Sequence, residues 1–526
     1  MKRYPIIHPF LFAMYPVLAV LAACLPMINP VQAIRPSIAI LVITTSILIF
    51  LRWIFKDWHR AGFISSMVII MLFYYGYSYR LPREIHLFDI AISRHLFILS
   101  FWVVFLSILV SNWLWKRVRP HVITNFLNIS SGITLIYAIY LLAAVWFTAS
   151  KDPLSNWSRP PNLTEDTIKL NQTYRPDIYY IILDGYAQED ILKEIYHYDN
   201  TQFVEYLKNK GFFVAENSHS NYASTCLSLA SSLNFEYLDY FAFAADKSTN
   251  LRPLMNEMIR SRTSNLLTSI GYKIFISGEY FFAEMRDPSI VFYVPQIHKL
   301  ATFESLLLQS TMMEILIDLG NINISSYTYD THREKILNGF AEINSLVPLR
   351  GPKFVFIHII APHAPFVFNR NGDPIQPDWE YTIFDGTEFP GSVDNYISGY
   401  REQLIYINYL TENAINKILQ NSPNPPIIVL QSDHGPGAFL ESSPESSCLR
   451  ERFSILSAYY FPNGMTNQLY PSISPVNTFR VIFNTYFGTN LDILPDINYF
   501  SSFDYPYQYT DVTQNIYDAC LSSEQH

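Results

Sequence analysis

"IYYIILDG" occupies Ile178–Gly185: six apolar residues without a charge, broken off by an aspartate and a glycine. A run this short, rich in β-branched and aromatic residues, reads as a strand buried on both faces. Two later runs end the same way. "KFVFIHIIAPH" (Lys353–His363) leads to His363, and "PIIVLQSDHG" (Pro426–Gly435) leads to Asp433 and His434. "FFVA" (Phe212–Ala215) and "YKIFIS" (Tyr272–Ser277) read as further short strands. Between them lie helical patterns: Thr201–Gly211, Leu254–Gly271, Thr331–Val347 and Asn395–Leu419. Strands alternating with helices imply a mainly parallel sheet covered on both faces. Such sheets bind ligands beyond the carboxyl ends of their strands, so Asp184, His363, Asp433 and His434 are expected at one edge.

Upstream the composition changes. Charge-free apolar intervals run between Arg3 and Arg35, Arg60 and Arg80, Arg94 and Lys116, and Arg119 and Lys151, and a shorter one from Arg35 to Arg52 is extended by Trp53–Phe55. Each can supply the roughly 20 apolar residues of a membrane-crossing helix. The expected organisation is a five-helix transmembrane domain over residues 1–150, a Pro- and Asn-rich linker over 151–175, and a catalytic α/β domain over 176–526. Basic residues such as Arg52, Lys56, Arg60, Lys116, Arg117 and Arg119 collect on one side and mark it as cytoplasmic. The expected location is a cell membrane crossed several times, in contact with the lipid bilayer, with the catalytic domain extracytoplasmic.

The formal charge of −9, from 45 acidic against 36 basic residues, excludes a nucleic-acid binder with a broad basic face. In an oxidising compartment one bridge among Cys226, Cys448 and Cys520 is expected, with Cys448–Cys520 one option.

The chemistry rests on few residues. Asp184 before Gly185 suits a hard cation, and equally an Asp-Gly turn. Thr225 opens the apolar-periodic "TCLSLASSLN" (Thr225–Asn234), with Ser224 as the cap. A hydroxyl there gains from the positive end of the helix dipole; the plainer reading is a capped core helix. Adjacent Asp433 and His434 can share one metal if the chain turns at Gly435 and Gly437. Alternation places His358 inside its strand, as a satisfied buried histidine. His363 lies at the strand exit, available to bind substrate or protonate a leaving group. Lys273 and Arg401 can meet an anion or serve on the surface.

These segments, in this order, resemble the alkaline phosphatase superfamily, and within it the sulfatase-like branch with the lipoteichoic acid synthases and lipid A phosphoethanolamine transferases. The resemblance covers about residues 176–490 and extends to the layout of spans, linker and extracytoplasmic domain. It implies Asp184 as the first acidic metal ligand, Thr225 as nucleophile and ligand, and Asp433 and His434 as the paired ligands. His363 resembles the histidine of the family's Pro-His-x-Pro segment. "SLASSL" (Ser228–Leu233) lines up with the "SRASLL" that follows the modified cysteine of sulfatases, which selects Thr225 over Ser224 and Cys226.

Two departures shape the expectation. Neither Cys226 nor Ser228 has the arginine four residues later that a formylglycine sulfatase needs. Two-metal members use a further downstream histidine, whereas the only histidine after His434 is His526. The resemblance therefore implies one divalent ion, with Mn²⁺ placed ahead of Mg²⁺, Zn²⁺ and Ca²⁺. The expected activity is a phosphotransferase or phosphoester hydrolase acting through a phospho-threonine on a lipid-linked or polymeric envelope substrate. The alternatives are a sulfuric ester hydrolase without formylglycine and an inactive envelope-glycan binding protein.

Overall fold

A computed structural model describes residues 5–25, 30–75, 84–87, 90–111, 115, 119–154, 157, 170, 174–245, 248–277, 290–292, 302–313, 315, 328–379, 381–518 and 520. The chain forms two compact units, Met1–Asp152 with Gln296–Ser326, and Pro153–Pro295 with Tyr327–His526.

In the first unit, helices His8–Cys24, Ile34–Phe55, Trp58–Tyr74, Arg94–Val110 and Pro120–Lys151 occupy the apolar intervals. Two stretches, Pro30–Phe55 and Pro120–Thr148, are long and apolar enough to cross a membrane. The other three helices have 17 residues each, shorter than the length the sequence suggested for every span. Several hydroxyls on these helices fold back onto their own backbone, as Thr44 Oγ1 does to Ile40 O at 2.8 Å, which satisfies their donors within the helix. Helix Thr302–Gln309, from the half of the chain assigned to catalysis, packs Phe303 and Leu307 into this unit's core with Ala13 and Val17.

The second unit is built on a seven-stranded sheet: β1 (Ile178–Leu183), β2 (Phe213–Val214), β3 (Lys273–Ser277), β4 (Ile290–Phe292), β5 (Lys353–Ile359), β6 (Ile427–Gln431) and β7 (Ser457–Tyr460). Its order is β2-β7-β6-β1-β5-β3-β4. The β6-β1-β5-β3-β4 block is parallel, and β7 and β2 continue it antiparallel. β1 is buried along its whole length, and its alternation feeds two cores. Ile178, Tyr180 and Ile182 pack with helices Thr225–Asn234 and Pro475–Phe487, through Leu227, Ala230 and Phe479. Tyr179, Ile181 and Leu183 pack with helices Tyr329–Leu346 and Val393–Asn421, through Phe340, Ile343 and Leu404. Apolar side chains on both faces are what a parallel sheet requires.

The single helix expected over Leu254–Gly271 is two, Arg252–Ile259 and Arg262–Ser269. Arg260 leaves helical geometry, and Ser261 caps the second helix by accepting from Ser264 N at 3.2 Å. Cys448 and Cys520 form a disulfide across 72 positions.

Candidate active site

Strand register decides which residues meet. Ile182 pairs with His358 on one side and Gln431 on the other. Side chains two positions apart share a face, so Asp184 and Asp433 follow Ile182 and Gln431 onto the face that carries helix Thr225–Asn234. Backbone bonds fix the exits: Asp184 N donates to Ile359 O at 2.9 Å, and His363 N donates to Asp184 O at 3.0 Å. Gly185 N donates to Asp433 Oδ1 at 3.3 Å, and Tyr186 N to Ser432 Oγ at 2.8 Å.

Thr225 is the first residue of its helix. Ser224 holds the cap position with extended backbone, and its carbonyl accepts from Ser228 N at 2.9 Å. Its hydroxyl makes no cap bond, contrary to the expected role, so the backbone alone starts this helix. Thr225 Oγ1 lies 3.1 Å from His434 Nε2.

His434 Nδ1 donates to Gly435 O at 2.9 Å, which turns the Nε2 lone pair toward Thr225 Oγ1, Asp433 Oδ2 at 3.4 Å and Asp184 Oδ1 at 3.6 Å. Asp184 Oδ1 and Asp433 Oδ2 are buried without a hydrogen-bond partner among the described residues. Two orphaned carboxylate oxygens and an imidazole lone pair, with a hydroxyl beside them, form a set of acceptors without protons to share. Such a set fits a divalent cation. Burial, followed by the charge of Arg452, lowers the basicity of His434 and keeps it in the neutral form a ligand needs. Burial would raise the Asp184 carboxyl, but the charge of His363 and the hydrogen bond from His358 hold it well below its usual range.

His358 Nε2 lies 3.2 Å from Asp184 Oδ2. The sequence places this histidine inside its strand as a satisfied buried residue; the group that it meets is Asp184, toward which the shared register turns it.

His363 Nδ1 donates to Ala364 O at 2.6 Å, and its Nε2 lies 3.0 Å from Asp385 Oδ2. Both ring nitrogens face oxygens that only accept, so the ring is an imidazolium. Burial disfavours that charge, yet Asp385 and Asp184 outweigh it and push His363 up to about 10. Asp385 itself is held below the carboxylate range by His363 and Arg452 against the effect of burial. It also accepts from Tyr396 Oη at 3.1 Å.

The arrangement brings together Asp184, Thr225, Asp433, His434 and His363, as the sequence expected. Sequence reasoning missed Asp385 and Arg452. Asp385 stands in an irregular segment that follows no strand, so edge reasoning could not reach it. Lys273 opens β3 at the amino end of the parallel strands and is exposed, on the opposite edge from Asp184. Arg401 lies on helix Val393–Asn421.

A family model described as Sulfatase matches residues 176–479. No curated protein matches the chain. Among solved structures, the C-terminal periplasmic domain of EcEptC from Escherichia coli in complex with Zn is similar at 13% identity and a TM-score of 0.42, over 67% of this chain and 97% of that one. The corresponding domain of phosphoethanolamine transferase EptC from Campylobacter jejuni is similar at 11% identity and a TM-score of 0.33, over 58% of this chain and 87% of that one. The soluble domain of lipooligosaccharide phosphoethanolamine transferase A from Neisseria meningitidis is similar at 12% identity and a TM-score of 0.38, over 61% of this chain and 90% of that one.

Proposed function

This chain belongs to the sulfatase family, and on that premise we propose that it is a membrane-anchored, metal-dependent phosphotransferase or phosphoester hydrolase with Thr225 as nucleophile. The observation that carries this reading is the placement of Thr225 Oγ1 3.1 Å from His434 Nε2, beside the orphaned oxygens of Asp184 and Asp433. Asp184, Asp433, His434 and Thr225 would hold one divalent ion, which, when bound, lowers the energy of an alkoxide and neutralises an anionic ester. Mn²⁺ is the ion we place first.

Thr225 Oγ1 loses its proton to water and supplies the attacking oxygen; its bond to phosphorus forms as the bond to the ester oxygen breaks, and the departing oxygen takes a proton from water. A second alcohol or water then takes the phosphoryl group from Thr225. His358 steadies Asp184 from the side away from His434. The charged His363 supplies a fixed positive field for the non-bridging oxygens, its ring 5.9 Å from that of His434. With both ring protons committed to Ala364 O and Asp385, binding is its role in this reading, rather than protonating the leaving group.

Apolar helices in the first unit support a membrane anchor, and the Cys448–Cys520 bridge supports an extracytoplasmic catalytic unit. Both favour a lipid-linked or polymeric envelope substrate.

Sulfate ester hydrolysis is the second reading, favoured by the family itself. Its formylglycine form finds no support at Cys226, where Ala230 stands in the place of the arginine that such a motif carries four residues later. Parallel assays on an aryl phosphate, an aryl phosphodiester and an aryl sulfate separate the two. The proposal expects turnover of a phosphate ester, lowered at least ~10³-fold by Thr225→Ala. Undiminished turnover by a folded Thr225→Ala protein would refute the nucleophile.

A further inference from the structure

Arg452 is among the bulkiest fully buried side chains of the described residues, 2% exposed, and lies outside every motif that the family reading uses. It sits on the short helix Leu449–Phe453, whose amino end is capped by Cys448 of the disulfide. Its backbone is held at the site: Arg452 O accepts from Gly435 N at 2.7 Å, and the next residue's carbonyl accepts from Ser220 N at 2.8 Å.

The guanidinium reaches three separate parts of the site. Its Nε donates to Ala223 O at 2.8 Å, two residues before Thr225. Its Nη1 donates to Gly435 O at 3.1 Å, the same carbonyl that receives His434 Nδ1. The same Nη1 donates to Asp385 Oδ2 at 2.8 Å, the oxygen that faces His363 Nε2. One rigid, planar group thus spaces the approach to the nucleophile, the tautomer and tilt of a metal-ligand histidine, and the carboxylate that keeps His363 charged.

We propose that Arg452 is a positioning residue, which sets the spacing of Thr225, His434 and His363 through its fork of donors. This inference rests on the reading of Thr225 as nucleophile. A lysine carries the same charge to Asp385 but has a single nitrogen on a flexible stem, and cannot serve Ala223 O and Gly435 O in a fixed plane. If charge neutralisation of Asp385 were the whole role, lysine would suffice.

The test uses the full chain in detergent with Mn²⁺ and bis(4-nitrophenyl) phosphate. Arg452→Lys is expected to unfold within about 3 °C of the unchanged protein. Its kcat is expected to fall about 10²-fold with KM within about 3-fold, because misplacement by about an ångström costs rate more than binding. Mn²⁺ affinity, titrated calorimetrically without substrate, should weaken about 10-fold, as for a lost outer-shell contact. Combining Arg452→Lys with Asp385→Asn should cost much less than the product of the two single effects. A folded Arg452→Lys protein with unchanged kcat and unchanged Mn²⁺ affinity would overturn the inference. If Arg452→Lys does not fold, Arg452→Gln with Asp385→Asn, which removes both members of that buried ion pair, takes its place, and an unchanged kcat there overturns it equally. Thr225→Ala in the same assay keeps the two claims apart: full activity there sinks the nucleophile reading, whereas lost activity there with an unchanged kcat for Arg452→Lys sinks the positioning role alone.

Discussion

Two buried carboxyl groups of the catalytic unit titrate in opposite directions because of their neighbours. Asp385 faces an imidazolium and a guanidinium and stays ionised. Glu342 faces only the hydroxyl of Ser277 among the described residues, its other oxygen has no partner there, and burial pushes it up to about 7 from 4.5. A raised folded-state value means that the contribution of Glu342 to stability is fully present below about 4.5 and is lost as pH climbs through about 7. Glu342→Gln should therefore raise the free energy of unfolding at pH 8 by an amount on the order of 2 kcal/mol, seen as a higher thermal midpoint, and leave it unchanged at pH 4. Thermal melts at the two pH values check this; an equal gain at both would show that the charge is not the cause. The same contrast explains what was legible at this scale. Asp184, Thr225, Asp433 and His434 each follow a strand or open a helix, so local pattern exposes them. Asp385 and Arg452 acquire meaning only from each other, across 67 positions.

The loop after β6 shows how an element is shaped by what it cannot hold. A methyl group at Gly435 would overlap the carbonyl of Glu451, and one at Gly437 would stand 2.8 Å from Asp385 Oδ2. The sequence expected these glycines to permit a turn; close approach of a second chain segment is the physical requirement. Gly435→Ala should lower the unfolding midpoint and reduce turnover at least ~10-fold, since the Gly435 N to Arg452 O bond must lengthen. Wild-type values for both would show that the loop yields freely. The disulfide acts on the neighbouring element: Cys448→Ser should cost about 2–4 kcal/mol in denaturant melts, and reductant should have the same effect on the unchanged protein. Elements with long apolar periodicity were legible. β7 was not, because "SAYY" (Ser457–Tyr460) is short and pairs antiparallel at the sheet's side, where no crossover helix announces it. The break at Arg260–Ser261 was hidden because both halves keep one apolar periodicity.

At the scale of the whole molecule, the order of β6, β1 and β5 gathers chemistry from distant parts of the chain to one sheet edge, and that convergence could be inferred from where the apolar runs stop. The return of Thr302–Gln309 to the first unit could not, since eight residues with a modest apolar face look like any core helix. Burying the carboxylates of Asp184 and Asp433 side by side makes the fold dependent on a counter-charge. Chelation should accordingly lower the unfolding midpoint, and a divalent ion at about 100 times its dissociation constant should restore about 2.7 kcal/mol. The most direct measurement of the central claim is anomalous diffraction at the manganese edge from crystals grown with Mn²⁺. The account predicts one strong peak about 2.0–2.3 Å from a carboxylate oxygen of Asp184, one of Asp433, His434 Nε2 and Thr225 Oγ1. A peak bound elsewhere, or none at this cluster with the ion in excess, would contradict it.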